Sequence, residues 1–130
     1  METMTTANCV ANGLLACPEG ERLIESLDWQ PHPRFPGVAL KHLLRGADTQ
    51  GRISCHLVRV APGCGLGEHT HESQLEVHTV LEGSGRAGVA DRMHAYAPGA
   101  VALIPQGDRH FVEAGDEGLL IYATFSPALV

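Results

Sequence analysis

The chain has 130 residues, a length that suits one domain around one core and is short for two full domains. Its 15 Asp and Glu outnumber 9 Lys and Arg, and the net charge of -6 is spread without long like-charge runs, which argues against a nucleic-acid partner. No stretch approaches the ~18 consecutive apolar residues of a spanning helix, and METMTTANCVANGLLACPEG has neither a basic leader nor a continuous apolar segment, so a cytoplasmic location without membrane contact is expected.

Residues 1 to 18 carry no clear periodicity and are expected to form a loose or partner-bound arm. In residues 19–27, EGERLIESL, the placement of Leu23, Ile24 and Leu27 predicts a short helix. Residues 29–37, WQPHPRFPG, hold three prolines and suit an extended edge segment. The expected organisation is therefore an N-terminal arm over 1–37, with a short helix and an edge segment, followed by a β-barrel over 38–130.

From residue 38 the pattern becomes short apolar runs between turn residues. Strands are predicted at 38–44, 53–60, 75–81, 85–90, 93–97, 100–105, 110–114 and 119–125, joined by APGCGLG, EGSG, PG, QGD and GDEG. Such short strands with Gly and Pro turns indicate an all-β sandwich or barrel. Neither a tandem repeat nor a low-complexity tract interrupts them.

Cys9, Cys17, Cys55 and Cys64 form no CxxC pair and are expected to be free thiols, with Cys64 lying just before the first candidate metal ligand. Four of the 8 histidines, His69, His71, His78 and His94, fall between positions 69 and 94, a bias that points to metal. His69 and His71 stand at i and i+2, so in a strand both imidazoles point to one face and can reach one ion. Glu76 follows a turn, where a hairpin would set its carboxylate opposite the two rings, and His110 starts a later strand. Three imidazoles and one carboxylate suit Fe(II), Mn(II), Ni(II), Co(II) or Zn(II).

These residues carry a family resemblance. Gly63, His69, His71, Glu76 and Gly83 stand at the spacing of the first cupin motif, and Gly99, Pro105, Gly107 and His110 at that of the second, so the chain resembles a small single-domain cupin. Ala114 replaces an asparagine that often closes the second motif, and Ala100 an acidic residue that often follows its first glycine. The resemblance implies a double-stranded β-helix, or jelly-roll, barrel with one divalent transition metal inside one mouth on His69, His71, Glu76 and His110. Gly63, Gly83 and Gly99 are expected at tight turns between strands with positive φ, and Gly107 at the turn that aims His110 inward.

His78, at i+2 from Glu76, should share the inward face and is the first candidate for proton transfer. His56 is a further inward candidate, and Tyr122 and Thr124 would add polar groups if their face of the last strand points inward. Arg109 should point away from the metal by alternation. His32, His42 and His94 have no partner at ligand spacing and are expected to be surface or core residues. Two functions follow from the resemblance: a metalloenzyme acting on a small oxygen-bearing molecule, of dioxygenase, isomerase, decarboxylase or lyase type, or a non-catalytic sensing or binding module. The apolar arm residues Val10, Leu14 and Leu15 suggest a homodimer.

Overall fold

The computed structural model describes residues 5–130, so the first four residues of the expected arm lie outside it. Chain order is α1 (Thr6–Ala11), β1 (Leu14–Cys17), β2 (Gly20–Leu23), a 3-10 turn (Ile24–Ser26), β3 (Gln30–Pro31), β4 (Val38–Leu44), α2 (Gly46–Thr49), β5 (Ser54–Val60), β6 (Gly65–His69), β7 (Leu75–Val89), β8 (Arg92–Tyr96), β9 (Val101–Ile104) and β10 (His110–Ser126).

Two long strands organise the rest. β7 and β10 run antiparallel from Leu75 opposite Ser126 to Val89 opposite His110. Their first half is flanked by β9 on the β7 side and by β5 and then β4 on the β10 side. Their second half is flanked by β8 and β6. The two halves face each other across one apolar core, with Val80, Ile121 and Phe125 from one and Ala87, Tyr96 and Val112 from the other, which makes the fold a jelly-roll barrel.

The bend in this ribbon sits where the ladder shifts register between Ala114 and Leu119. Gly83 has φ 92° and Gly118 φ 72° at that point. A Cβ on Gly83 would stand 2.0 Å from the Gly118 carbonyl oxygen, so only glycine allows the two backbones to cross there. The sequence predicts separate strands on either side of Gly83 and on either side of GDEG. The structure instead carries each pair through as one bent strand, because a glycine bulge turns a strand without ending its pairing.

Three further expectations are corrected. The helix predicted over 19–27 is strand β2 followed by the 3-10 turn, because β2 pairs with β1 in a hairpin and that pairing overrides weak helical spacing. The expected loop APGCGLG contains the start of β6, whose partner is β10. β6 and β7 accordingly form no hairpin with each other; β10 pairs with both.

Residues of the arm cover the outer face of β5. Ala7 and Ile24, with Val10, Leu15, Leu27 and Trp29, pack on Leu43, Cys55, Leu57 and Leu120, which is why SCHLVRV is buried on both faces rather than alternating. Val10 and Leu15 thus contact the chain's own sheet, whereas Leu14 is 52 % exposed. On the same side Lys41 is buried, donating its Nζ proton to the Ile24 carbonyl at 3.0 Å.

The bend is directly testable. Gly83→Ala is expected to lower the unfolding free energy by about 2–4 kcal/mol, through strain at positive φ and the clash with Gly118. Urea denaturation reads this as a fall in midpoint; an unchanged midpoint would show that the crossing tolerates a side chain.

Candidate metal centre

His69 closes β6 and His110 opens β10, and the two residues are register partners across the strands. His71 lies beyond the end of β6, in the irregular connection to β7, rather than in a continuing strand as expected. Its backbone is held from outside: the turn before His110 donates Gly107 N–H to the His71 carbonyl at 3.0 Å, and Gln106 Nε2 donates to the Glu72 carbonyl at 2.7 Å. Gly107 takes φ 82° to make that turn. The predicted convergence of His69 and His71 therefore occurs, but this buttress produces it rather than strand alternation.

The three imidazoles each offer a nitrogen, and these atoms lie within 4.8 Å of one another, so the triad could hold a metal ion. The backbone sets the tautomers of two of them. His69 Nδ1 donates to the Gly67 carbonyl at 2.6 Å and His110 Nδ1 to the Asp108 carbonyl at 3.1 Å. Both rings consequently turn an Nε2 lone pair toward the cluster, as metal-binding histidines held by a carbonyl do.

Glu76, second residue of β7 and 5 % exposed, comes in from the other half of the barrel. Its Oε2 accepts from His78 Nε2 at 2.7 Å. Its Oε1 stands 3.3 Å from His110 Nε2 and 3.5 Å from His71 Nε2. Neither approach is a hydrogen bond, and both Glu76 Oε1 and His110 Nε2 are buried without a partner. Leaving such atoms unsatisfied is costly, so their convergence beside two more imidazoles fits a cation that would satisfy both.

Titration behaviour follows from burial and these contacts. Burial lowers His69 to about 4, against the Gly67 carbonyl contact that works to raise it, and burial likewise lowers His71. Burial opposes a charge on His110 as well, but Glu76 and the Asp108 carbonyl outweigh it and raise this group overall. Burial alone would raise Glu76; contacts with His110 and His78 hold it well below the usual carboxylate range.

His78 is buried and faces inward, as its spacing from Glu76 predicts. Both of its nitrogens are engaged, Nε2 by Glu76 and Nδ1 by the Tyr96 hydroxyl at 2.8 Å. Burial, then the charge of Glu76, pushes Tyr96 upward, so it stays protonated and donates to His78. His56 also faces the cavity, and burial first lowers it to about 4. Its Nδ1 lies 2.8 Å from His42 Nδ1, a bond that requires one ring to donate and the other to accept, and its Nε2 meets Ser54 Oγ at 2.8 Å.

The polar face of the last strand does not join the site. Ile121 and Phe125 line the cavity, while Tyr122 packs on the outer cluster and Thr124 Oγ1 lies 3.9 Å from Cys55 Sγ, because the apolar face of β10 turns to the core. Arg109 points outward and pairs with Glu68 at 3.2 Å, as alternation predicts. His32 and His42, expected to be surface or core residues, have definite roles: His32 lines the cavity and His42 bonds to His56. Arg34 and Phe35 also line it and were not singled out by any spacing rule. The three prolines of residues 29–37 were their signal, since they mark a segment of fixed shape.

With this geometry in view, comparison with known proteins is specific about family. Residues 56–125 match the family model described as Cupin domain, which is more than half of the chain. The chain is a cupin. No curated protein sequence matches it. Among solved structures it is similar to one described as a predicted oxalate decarboxylase from Thermotoga maritima, with TM-score 0.74, 21 % identity and coverage of 80 % of this chain and 96 % of that one. It is also similar to KdgF from Halomonas sp., with TM-score 0.71, 21 % identity and coverage of 79 % and 90 %. Ectoine synthase from P. lautus gives TM-score 0.73 at 18 % identity, covering 84 % and 78 %. At these identities the likeness concerns the barrel alone.

Protonation of the buried rings should be visible in stability. Because His56 and His69 fall to about 4 in the folded chain while the unfolded chain titrates near 6.5, the unfolded state binds more protons between these values. Stability of metal-free protein is therefore expected to fall as pH drops from 6.5 to 4, by about 1–2 kcal/mol for His56. His56→Gln should flatten that slope in chemical denaturation, whatever its effect at pH 7. Parallel slopes for the two proteins would mean that His56 is not held neutral.

Proposed function

We propose that this cupin binds one divalent transition metal, of the Fe, Mn, Ni, Co or Zn group, through His69, His71, His110 and Glu76. We further propose that it acts there on a small oxygen-bearing organic molecule, as a dioxygenase, isomerase, decarboxylase or lyase. The observation that carries this reading is the buried pair Glu76 Oε1 and His110 Nε2, 3.3 Å apart without a hydrogen bond and facing two more imidazoles. When bound, such a metal supplies Lewis acidity toward a ligand oxygen.

The chain's own residues supply the remainder. Backbone carbonyls of Gly67 and Asp108 keep two Nε2 lone pairs aimed at the centre. His78 anchors Oε2 of Glu76, which leaves Oε1 directed at the imidazoles. His78 is the first candidate for proton transfer, and its contacts route that transfer along Tyr96, His78 and Glu76 rather than straight to a ligand. Phe125, Ile121, Val58 and Leu66 give the rest of the cavity an apolar lining.

A non-catalytic binding module is the second reading; it is favoured by the absence of an unengaged nitrogen on His78. Four free thiols support a reducing, cytoplasmic setting, and no helix of the described residues is long and apolar enough to cross a membrane. A homodimer is proposed through the β1–β2 hairpin, where the register partners Leu14 and Leu23 are both exposed. Sedimentation as a 13.8 kDa species at micromolar concentration would remove it.

Elemental analysis is the primary test. The purified protein is expected to carry near-stoichiometric metal, His69→Ala/His71→Ala none, and chelation should lower the melting temperature of the parent only. Metal-free parent and variant that melt alike after metal is offered would overturn the four-ligand centre. A finer test concerns the anchor: His78→Phe is expected to weaken metal affinity about 10- to 100-fold in competition with a chromophoric chelator. Unchanged affinity would show that Glu76 needs no holding.

A further inference from the structure

The arch of residues 31–37 closes over the metal end of the cavity. His32 N–H donates to the Val38 carbonyl at 2.8 Å, and Ala61 N–H donates to the Gly37 carbonyl at 2.8 Å, so the segment is tied at its base and to the end of β5. Pro31, Pro33 and Pro36 fix φ at three of seven positions. Gly37, at φ 77°, lies against Cys64 so closely that a Cβ would stand 2.4 Å from its Sγ. Phe35 packs its ring on His69, centroids 5.6 Å apart, and His32 packs on Phe35 at 4.8 Å. This arch lies outside residues 56–125, which match the family model.

Its two polar side chains have defined chemistry. His32 Nδ1 accepts from the backbone N–H of Arg34 at 3.0 Å and of Phe35 at 3.2 Å. That leaves a neutral ring with its proton on Nε2, and Nε2 makes no hydrogen bond among the described residues. Burial, then the nearby Arg34, lowers His32 further from protonation. Arg34 lies over the Phe35 ring at 5.1 Å, lines the cavity, and pairs with no carboxylate among the described residues. Beyond the arch and the metal-ligand candidates the lining is mostly apolar, with Leu40, Val58, Leu66, Val112, Ile121 and Phe125.

We infer that Arg34 and His32 are specificity-determining residues that select a small organic monoanion with an apolar body, its charged group held at the mouth under the arch. The inference rests on the metal-centre reading, whose ligand His69 packs against the arch. Size follows from the cavity, about 190 Å³; a cavity of about 150 Å³ admits benzene. A ring-sized body therefore fits. The apolar part of the lining rejects a second charge, because no partner there would compensate its desolvation. One charged group at one end is what the lining accepts.

Benzoate and benzamide are suitable probes, equal in shape and different in charge. Titration calorimetry of nickel-loaded parent protein is expected to show benzoate binding at least about tenfold tighter than benzamide, the scale of a charge-assisted hydrogen bond. Arg34→Gln should remove that preference while leaving nickel content unchanged. The arch's hydrogen bonds use the backbone of Arg34, so the variant keeps its shape. Equal affinity for both probes in the parent, or an unchanged preference in Arg34→Gln, overturns the assignment. Repeating the titration on chelated protein separates the two readings. A charge preference lost with Arg34 in protein that never retains nickel supports the arch and sinks the metal centre; retained nickel with no such preference does the reverse.

Discussion

A flat antiparallel ribbon would keep Glu76 and His110 far apart. Glu76 lies opposite Phe125 near one end of the β7–β10 ladder, and His110 lies opposite Val89 at the other. At roughly 3.3 Å per residue, the strand from Glu76 to Val89 spans about 40 Å. Yet Glu76 Oε1 and His110 Nε2 are 3.3 Å apart. The ribbon must therefore double over, and the crossing of Gly83 and Gly118 is where it does so. The candidate metal centre exists only because that bend closes the barrel, which makes the folding topology and the site one constraint.

Closure also explains the polar interior. Bringing a carboxylate and four imidazoles inside an apolar barrel is costly unless each polar atom has a partner. Most of them do: Gly67 and Asp108 carbonyls take the outer nitrogens of His69 and His110, and Tyr96, His78 and Glu76 form one chain across the two halves. His56 is handled separately, through Ser54 and His42. The atoms left over, Glu76 Oε1 and His110 Nε2, lie side by side at one point. A network this complete elsewhere singles out that point as the place for something not made of protein.

The family pattern and the individual chemistry are carried by different parts of the chain. Cupin spacing accounts for the three imidazoles, Glu76 and the glycine turns. The arch over the mouth lies upstream of the matched residues, with a proline-fixed shape and a cation of its own. The barrel thus supplies the candidate metal ligands, and a short segment outside it closes over them. Variation in such segments can change what a common barrel binds without disturbing its core.

By itself the sequence determined the all-β class, the metal-ligand candidates and the inward placement of His78, because fixed motif spacings and two-residue alternation are local properties. Positive φ at Gly63, Gly83 and Gly99 was likewise readable, as was the turn at Gly107, since few other residues tolerate such backbone. Only the tertiary structure decided that Gly83 bends a strand rather than ending it, that β10 rather than β7 pairs with β6, and that Tyr122 turns outward while His32 and the exposed Arg34 border the cavity. Each of these depends on which distant segments pack together, and nearest-neighbour patterns hold no record of that. The segment 19–27 shows the same limit from the other side: its helical spacing was real, and pairing with Leu14–Cys17 outweighed it.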